Sequence, residues 1–215
     1  MSGVEAIVVL GVISSVISIV DGTKQVFDAA TNAQGLPEAF REVAARLQII
    51  RNILGSTKRH IEDGNADENS YKGAREVVEG CKRKAEKLEA VFQKVIPADG
   101  ASRVERYLSA VRTLGKGSRV EILMKGMLED VQLLAIDHGM TTVADTQRKE
   151  VADAIEEVAA LHPSIPENAI EGTGFTSIHS GSDPINQVQG DQYNNFGSGQ
   201  IYHAQSMTFG SNSKT

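Results

Sequence analysis

An uncharged, apolar run of fifteen residues near the N-terminus is the feature that most constrains how this chain folds. The run extends from Ala6 to Val20 and lies between two acids, Glu5 and Asp21. As a helix it would measure about 22 Å, short of the ~30 Å hydrocarbon core of a bilayer. No Lys or Arg precedes it, so it lacks the basic flank of a signal peptide and we expect an intracellular protein. A helix that is apolar all round needs a bundle core or a membrane around it.

The remainder of the first 161 residues carries dense charge on an apolar period near 3.6, which is typical of amphipathic helices. Residues 4–32 predict a first helix, or a broken pair joined at Gly22. Further helices are expected from about Pro37 to Ile61 and over 68–95, 102–114, 118–138 and 141–161. No segment before residue 170 alternates like a half-buried strand. The sequence therefore predicts an all-α fold with an N-terminal bundle of about five to six helices.

Composition changes abruptly near residue 170. Residues 172–215 carry only three charges but five of the ten aromatic residues of the chain. Between the two parts, residues 162–171 contain two prolines, which end a helix and stiffen the segment that follows. We expect a helical bundle over 1–161, a flexible proline-containing linker over 162–171 and a separate tail over 172–215.

Residue types that carry chemistry form no catalytic pattern. GKGS at 115–118 lacks the first glycine of a P-loop because position 110 is Ala, so a helix joint is expected there. The five histidines show no metal-ligand spacing, and the single cysteine, Cys81, lies on the apolar side of its helix. Residues 81–89 predict a solvated charged face, with a lipid-contact patch as the alternative. We expect no enzyme, no cofactor and no metal site, and the net charge of -6 argues against nucleic acid as a partner.

The tail has too few aliphatic residues to build a core of its own, and plain disorder is one interpretation. Templated cross-β assembly is the other, because amides form ladders and aromatic rings stack when identical segments align in register. Placing GDQYNNFG over SGQIYHA aligns Gln192 with Gln200 and Tyr193 with Ile201. Glycines punctuate these segments, as they do in short strands joined by tight turns.

The tail resembles the fungal σ prion-forming motif in GDQYNN (190–195), GSGQ (197–200) and AQSMTFG (204–210). NQVQGDQYN (186–194) is also similar to a related pseudo-palindromic amyloid motif, whereas QIYH departs from a strict second repeat. The resemblance implies a tail that is disordered at rest and cross-β after assembly. Its implied partners are further copies of the chain and a receptor with a matching σ motif. The residues expected in the assembled motif are Asn186, Gln187, Val188, Gln189, Gly190, Gln192, Tyr193, Asn194, Asn195, Phe196, Gly197, Gly199, Gln200, Ile201, Tyr202, Met207, Phe209 and Gly210.

Two N-terminal stretches, GVEAIVVLGVISSVISIVDGTKQVFDAA (3–30) and GLPEAFREVAARLQIIRNIL (35–54), resemble the SesA domain of the fungal HeLo and HeLo-like group. The resemblance implies a membrane-disrupting effector of programmed cell death, of the heterokaryon-incompatibility or innate-immunity type. It also implies an NLR-like receptor with a NACHT module as partner. No such module occurs in these 215 residues, so we expect the downstream effector rather than the receptor.

These resemblances together predict a mechanism. Templating of the tail by the receptor would crowd the helical domains, expel the N-terminal helix and bring it into contact with lipids. The protein would be cytoplasmic at rest and move to the plasma membrane on activation. A non-toxic signalling adaptor with the same tail is the alternative.

The N-terminal helix is expected to have two environments. At rest, Ile7, Val8, Leu10, Ile13, Val16, Ile17 and Val20 are expected in the core. Glu5 is expected to act in lipid, or else to be a surface acid favoured by the helix dipole. The residues expected to insert are Glu5, Ala6, Ile7, Val8, Val9, Leu10, Val12, Ile13, Val16, Ile17, Ile19 and Val20.

Overall fold

A computed structural model describes residues 3–30, 35–64, 68–97, 102–136 and 144–170, and every regular element in these ranges is helical. Six long helices are present: α1 (Gly3–Asp28), α2 (Glu38–Glu62), α3 (Glu68–Val95), α4 (Ser102–Leu114), α5 (Val120–Ile136) and α6 (Asp145–Ala159). A 3-10 turn (Lys116–Ser118) separates α4 from α5, and one short turn of helix, α7 (Glu167–Ile170), follows α6. The predicted all-α fold is confirmed.

Local sequence signals explain where the helices begin and end. Pro37 stands immediately before α2, where its missing N–H costs nothing because a first-turn amide has no partner within the helix. Gly115 adopts a φ of 96°, which ends α4 and turns the chain into the 3-10 segment. The GKG joint is therefore confirmed, whereas α1 runs through Gly22 without a break and ends at Asp28.

Four helices, α1, α2, α3 and α5, form a ring around the core. Helix α1 packs against α2 and α3, and α5 closes the ring on the other side of both. Phe27 near the end of α1 and Phe40 near the start of α2 both contact Phe92, so α1 and α2 are antiparallel. Gly22 lies against Glu89 and Phe27 against Phe92, so α1 and α3 run parallel. The result is a four-helix bundle with a closed apolar interior.

Helices α4 and α6 cover two sides of this bundle. Tyr107 of α4 makes an edge-on contact with Phe40, with ring centroids 4.9 Å apart. Helix α6 packs on α5 and α2, and Glu157 of α6 accepts a 2.7 Å hydrogen bond from Arg46 of α2. Phe27, Phe40, Phe92 and Tyr107 thus form an aromatic cluster at the end of the bundle where α1 ends and α2 begins.

The proline-containing segment packs on the bundle. We call residues 161–170 the strap. Its Ile165 and Ile170 are buried, and Ser164 bonds to Glu121 of α5. Residues 162–170 therefore differ from the flexible linker expected over 162–171, because two isoleucines and one serine hold them to α4 and α5. The tail boundary at 172 lies outside the described residues.

Candidate functional site

Helix α1 is much longer than the apolar run within it. Its 26 residues span about 39 Å, more than the ~30 Å thickness of a bilayer core. By length and composition, Val4–Asp28 is long and apolar enough to cross a membrane. The core helix of a soluble bundle can be equally long and apolar, but its side chains are mostly buried. The buried fraction of α1 therefore distinguishes a core helix from a membrane-spanning one.

Only one narrow face of α1 is buried. Of the most apolar 18-residue window, 22% is buried. The buried positions recur every three or four residues: Val9, Ile13, Val16, Val20 and Thr23. The neighbouring positions Ala6, Leu10, Val12, Ile17 and Ile19 are partly buried and pack against the core. The helix is therefore apolar on faces that the bundle does not cover.

The first two turns of α1 expose large aliphatic side chains. Val4 is 71% exposed, Ile7 69% and Val8 37%. The prediction that Ile7 and Val8 lie in the core at rest is therefore wrong. The physical reason is that α1 packs mainly against α2 and α3, which leaves its outer face without a neighbour in the described part of the chain.

Glu5 lies between these exposed residues and is partly buried. Its Oε2 atom has no contact with solvent and no hydrogen-bond partner among the described residues. Arg75 of α3 donates to Glu79 at 2.9 Å, and the pKa of Arg75 is raised chiefly by Glu79 and in smaller part by the charge of Glu5. The Glu5 side chain is therefore partly buried in the first turn of α1.

The second half of α1 is held more firmly than its start. Arg51 of α2 donates to Asp21 at 2.8 Å. At Gly22 a Cβ atom would come within 3.3 Å of Glu89 Oε1, so the Glu89 carboxylate lies against the backbone of α1 there. Phe27 contacts Phe92 with ring centroids 6.2 Å apart. Packing along α1 is therefore uneven, with an open N-terminal end and a fixed C-terminal half.

The remaining titratable residues serve the packing of the bundle. Cys81 is fully buried, as predicted, and desolvation raises its pKa to about 12. In the charged segment 81–89, Lys84 is partly exposed and donates to Asp130 of α5 at 2.6 Å. His60 is buried with both ring nitrogens unpartnered among the described residues. In the described part of the chain, no group of three or more His, Cys, Asp or Glu side chains could hold a metal ion.

A shallow cleft lies between the start of α5 and the end of α6. Its volume is about 210 Å³, and Arg119, Ile122, Lys125 and Val158 are among its lining residues. Pockets for small-molecule ligands usually measure ~300–1,000 Å³.

All of the residues expected in the amyloid motif lie outside the described residues. They are Asn186, Gln187, Val188, Gln189, Gly190, Gln192, Tyr193, Asn194, Asn195, Phe196, Gly197, Gly199, Gln200, Ile201, Tyr202, Met207, Phe209 and Gly210. The resemblance of the tail to the σ motif therefore stays a prediction.

One family model matches the chain. It is SesA, described as an N-terminal domain on NACHT NTPases and P-loop NTPases, and it matches residues 13–134. No significant match was found among the curated proteins, and none among the solved structures. The matched range begins inside α1 and ends near the end of α5, so it contains most of the four-helix ring. Because it also covers more than half of the 215 residues, the chain belongs to the SesA family.

Proposed function

We propose that this protein is a non-enzymatic cell-death effector that an NLR-type NACHT receptor activates through the tail, and that α1 is the part that disrupts membranes. The observation that carries the proposal is the exposed apolar end of α1. A soluble bundle gains nothing from exposing Val4, Ile7 and Val8 on one helix, whereas a helix destined for lipid needs apolar residues on every face.

The dimensions of α1 fit a membrane-active helix. Its uncharged centre, Ala6–Val20, covers about 22 Å, and charged residues begin at Glu5 on one side and Asp21 on the other. Lys24 near the C-terminal end has a long aliphatic stem that can carry its charge to the interface. Local thinning or helix association would accommodate the remaining mismatch.

Activation is proposed to come from the tail. SesA domains occur with NACHT NTPases, which supports a receptor of that type as the partner that delivers the signal. A receptor with a matching σ motif would template residues 172–215 into a cross-β stack. Stacking raises the local concentration of the attached bundles, so that several α1 helices meet lipid together. The protein would be cytoplasmic before this step and at the plasma membrane after it.

A leakage assay with matched variants tests the proposal. Full-length protein would be added to dye-loaded vesicles with and without preformed fibrils of the peptide 172–215. Ile7→Asp places a charge at an exposed position of α1, and Val104→Asp places the same charge at an exposed position of α4, where Val104 is 51% exposed. Neither change enters the core, so both variants should fold.

We expect fibril-dependent leakage from the wild-type protein and from Val104→Asp, and little leakage from Ile7→Asp. Glu5→Ala should leave the fold intact and alter leakage. Equal leakage from Ile7→Asp and Val104→Asp would refute the role of α1. Recruitment to fibrils without leakage from any of these proteins would instead favour the signalling adaptor.

A further inference from the structure

The strap is fixed to α5 through one buried carboxylate. Glu121 is 7% exposed, so its charge needs hydrogen-bond donors to replace water. Its two hydrogen bonds come from Ser164 of the strap: the amide N–H donates to Oε1 at 3.1 Å and the hydroxyl donates to Oε2 at 2.6 Å. Arg119 adds an ion pair, with Nε 3.8 Å from Oε1. Without the strap, Glu121 would lose both hydrogen bonds.

Tyr107 connects this carboxylate to the aromatic cluster. The Ser164 hydroxyl donates to Glu121, so it accepts from the Tyr107 hydroxyl, which lies 2.6 Å away. The Tyr107 oxygen in turn accepts from the backbone N–H of Val120 at 3.0 Å. These bonds form a directed series in which each member polarises the next. Burial, with a further contribution from the charge of Glu121, raises the pKa of Tyr107, which keeps its proton in place.

Ring contacts continue from Tyr107 to α1. The ring of Tyr107 lies 4.9 Å from that of Phe40, Phe40 lies 5.0 Å from Phe92, and Phe92 lies 6.2 Å from Phe27 of α1. Phe27, Phe40 and Phe92 belong to α1, α2 and α3 of the four-helix bundle, and Tyr107 belongs to α4. An unbroken series of contacts therefore joins Ser164 of the strap to the C-terminal half of α1.

The strap has further anchors among the described residues, and its Leu161 and Ala169 also pack against the core. Ile165 and Ile170 are buried, Arg112 donates to the carbonyl of Ala169 at 2.8 Å, and Arg119 reaches the carbonyl of Ile165 at 3.5 Å. Because only four of its ten residues, Glu167–Ile170, are helical, the strap should open more easily than a long helix of the bundle. The strap ends at Ile170, which is the last described residue, and the tail follows it in the sequence.

We infer that the docked strap restrains the C-terminal half of α1, in addition to the direct packing of α1 on α2 and α3, and that undocking it loosens α1 from that half. The first two turns of α1 are already exposed on their outer face, so release needs the contacts at Phe27, Gly22 and Asp21 to break, followed by those of the buried face from Val9 to Val20. Undocking leaves Glu121 with only its 3.8 Å ion pair to Arg119, and leaves the Tyr107 hydroxyl with the Val120 N–H but without its acceptor. The ring of Tyr107 is then held less firmly, which weakens the support of Phe40 and Phe92. The relevance of this coupling to signalling rests on the proposed function, but the coupling itself is a property of the resting protein.

Hydrogen exchange of the full-length protein, without fibrils or lipid, tests the coupling. Ile165→Asp drives the strap off by placing a charge at a buried position, and His162→Asp adds the same charge at an exposed strap position. The amide of Ser164, which is bonded to Glu121, reports whether the strap is docked. We expect Ile165→Asp to speed exchange of the Ser164 amide and of residues 20–28 by roughly tenfold, with residues 72–80 of α3 far less affected. His162→Asp should match the wild-type protein.

A second variant separates coupling from general loss of stability. Phe27→Leu removes the ring that contacts Phe92 at the end of the series, so it should itself speed exchange in residues 20–28. Combined with Ile165→Asp, it should add less than it does alone, because both changes break the same connection.

Three results would overturn the inference. The first is faster exchange of the Ser164 amide without any change in the exchange rate of residues 20–28. The second is an equal acceleration of residues 20–28 and 72–80, which would mean global unfolding. The third is a protected Ser164 amide even when Ile170→Asp is added to Ile165→Asp. Vesicle leakage has no part in these readouts, so failure of the proposed function would leave their outcome unchanged.

Discussion

Arg51 Nε lies 2.8 Å from Asp21 Oδ1, and this ion pair joins α2 to α1 at the point where the apolar run of α1 ends. Both side chains are partly exposed, at 47% and 39%, so the pair is screened by water. The pair therefore orients α1 relative to α2 but contributes little to the free energy of unfolding.

Loss of this pair should have a small effect on global stability. We expect Arg51→Ala to lower the free energy of unfolding by less than about 1 kcal/mol, and the effect should shrink further in high salt. Urea denaturation of Arg51→Ala, Asp21→Ala and the double variant measures the pair directly. Lys58→Ala, which breaks a contact within α2 only, is the control.

The buried thiol of Cys81 should make stability fall at alkaline pH. Its pKa is raised from 9.0 to about 12, chiefly by desolvation, so the folded state holds the proton more tightly than the unfolded state. This contribution is complete below pH 9 and is lost as pH rises toward 12. At pH 10.5 the wild-type protein should have lost about 2 kcal/mol more than Cys81→Ala, relative to pH 8.

Chemical denaturation at the two pH values checks this expectation. Thiol labelling at pH 8 gives an independent test, because a protonated and buried Cys81 should react only when the bundle opens. Rapid labelling of the folded protein would contradict the assigned burial.

Two buried threonines provide a matched pair for the cost of an unpaired hydroxyl. Thr23 and Thr57 are each 1% exposed, but only the hydroxyl of Thr23 has a partner among the described residues, the carbonyl of Ile19 at 2.8 Å. Thr57→Val should therefore raise the free energy of unfolding by about 1 kcal/mol, since valine keeps the shape and removes the unpaired group.

Thr23→Val is the control and should leave stability unchanged or lower it by up to about 1 kcal/mol. Both values follow from urea denaturation. A loss of stability in Thr57→Val would show that its hydroxyl binds a partner such as a buried water.

Two helix-interior glycines should respond differently to alanine. At Gly55 a Cβ atom would meet nothing within 4 Å, so Gly55→Ala should gain the ~0.5–1 kcal/mol of helix propensity. At Gly126 the Cβ would lie 2.8 Å from Lys84 Cε, so the Lys84 side chain must move. That movement breaks its bond to Asp130 and cancels most of the gain.

Thermal or urea denaturation of the two variants measures this difference. An equal gain at both positions would show that Lys84 reaches Asp130 by another path.

Desolvation raises the pKa of Asp130 and Lys84 opposes that rise, so losing Lys84 should raise the pKa of Asp130 further. NMR titration of the Asp130 carboxyl detects that change.

Helical periodicity was a reliable guide wherever polar residues marked one face. In α2 the apolar residues that recur every three or four positions are all buried, namely Phe40, Val43, Ala44, Leu47, Ile50, Ile53 and Leu54. In α1 the same method fails, because nearly every position of the run is apolar and no polar stripe shows which side faces out. Ile7 and Val8 were misassigned for that reason.

The strap was the other feature that local sequence did not reveal. Its prolines correctly mark the end of a helix, but docking depends on a pair, Glu121 and Ser164, separated by 43 residues. A single sequence carries no signal for such a pairing. The only hint was the presence of Ile165 and Ile170 in an otherwise polar segment, since buried isoleucines need a core to enter.

The parallel pairing of α1 with α3 has a consequence for synthesis of the protein. Helix α1 leaves the ribosome before α3, which is complete only at Val95, 67 residues after α1 ends at Asp28. At ~5–20 residues per second, the apolar helix waits roughly 3 to 13 seconds for that partner. During this interval the nascent chain exposes the whole apolar surface of α1, of which the folded bundle covers one face. Chaperones and membranes therefore compete to bind this helix before the bundle forms.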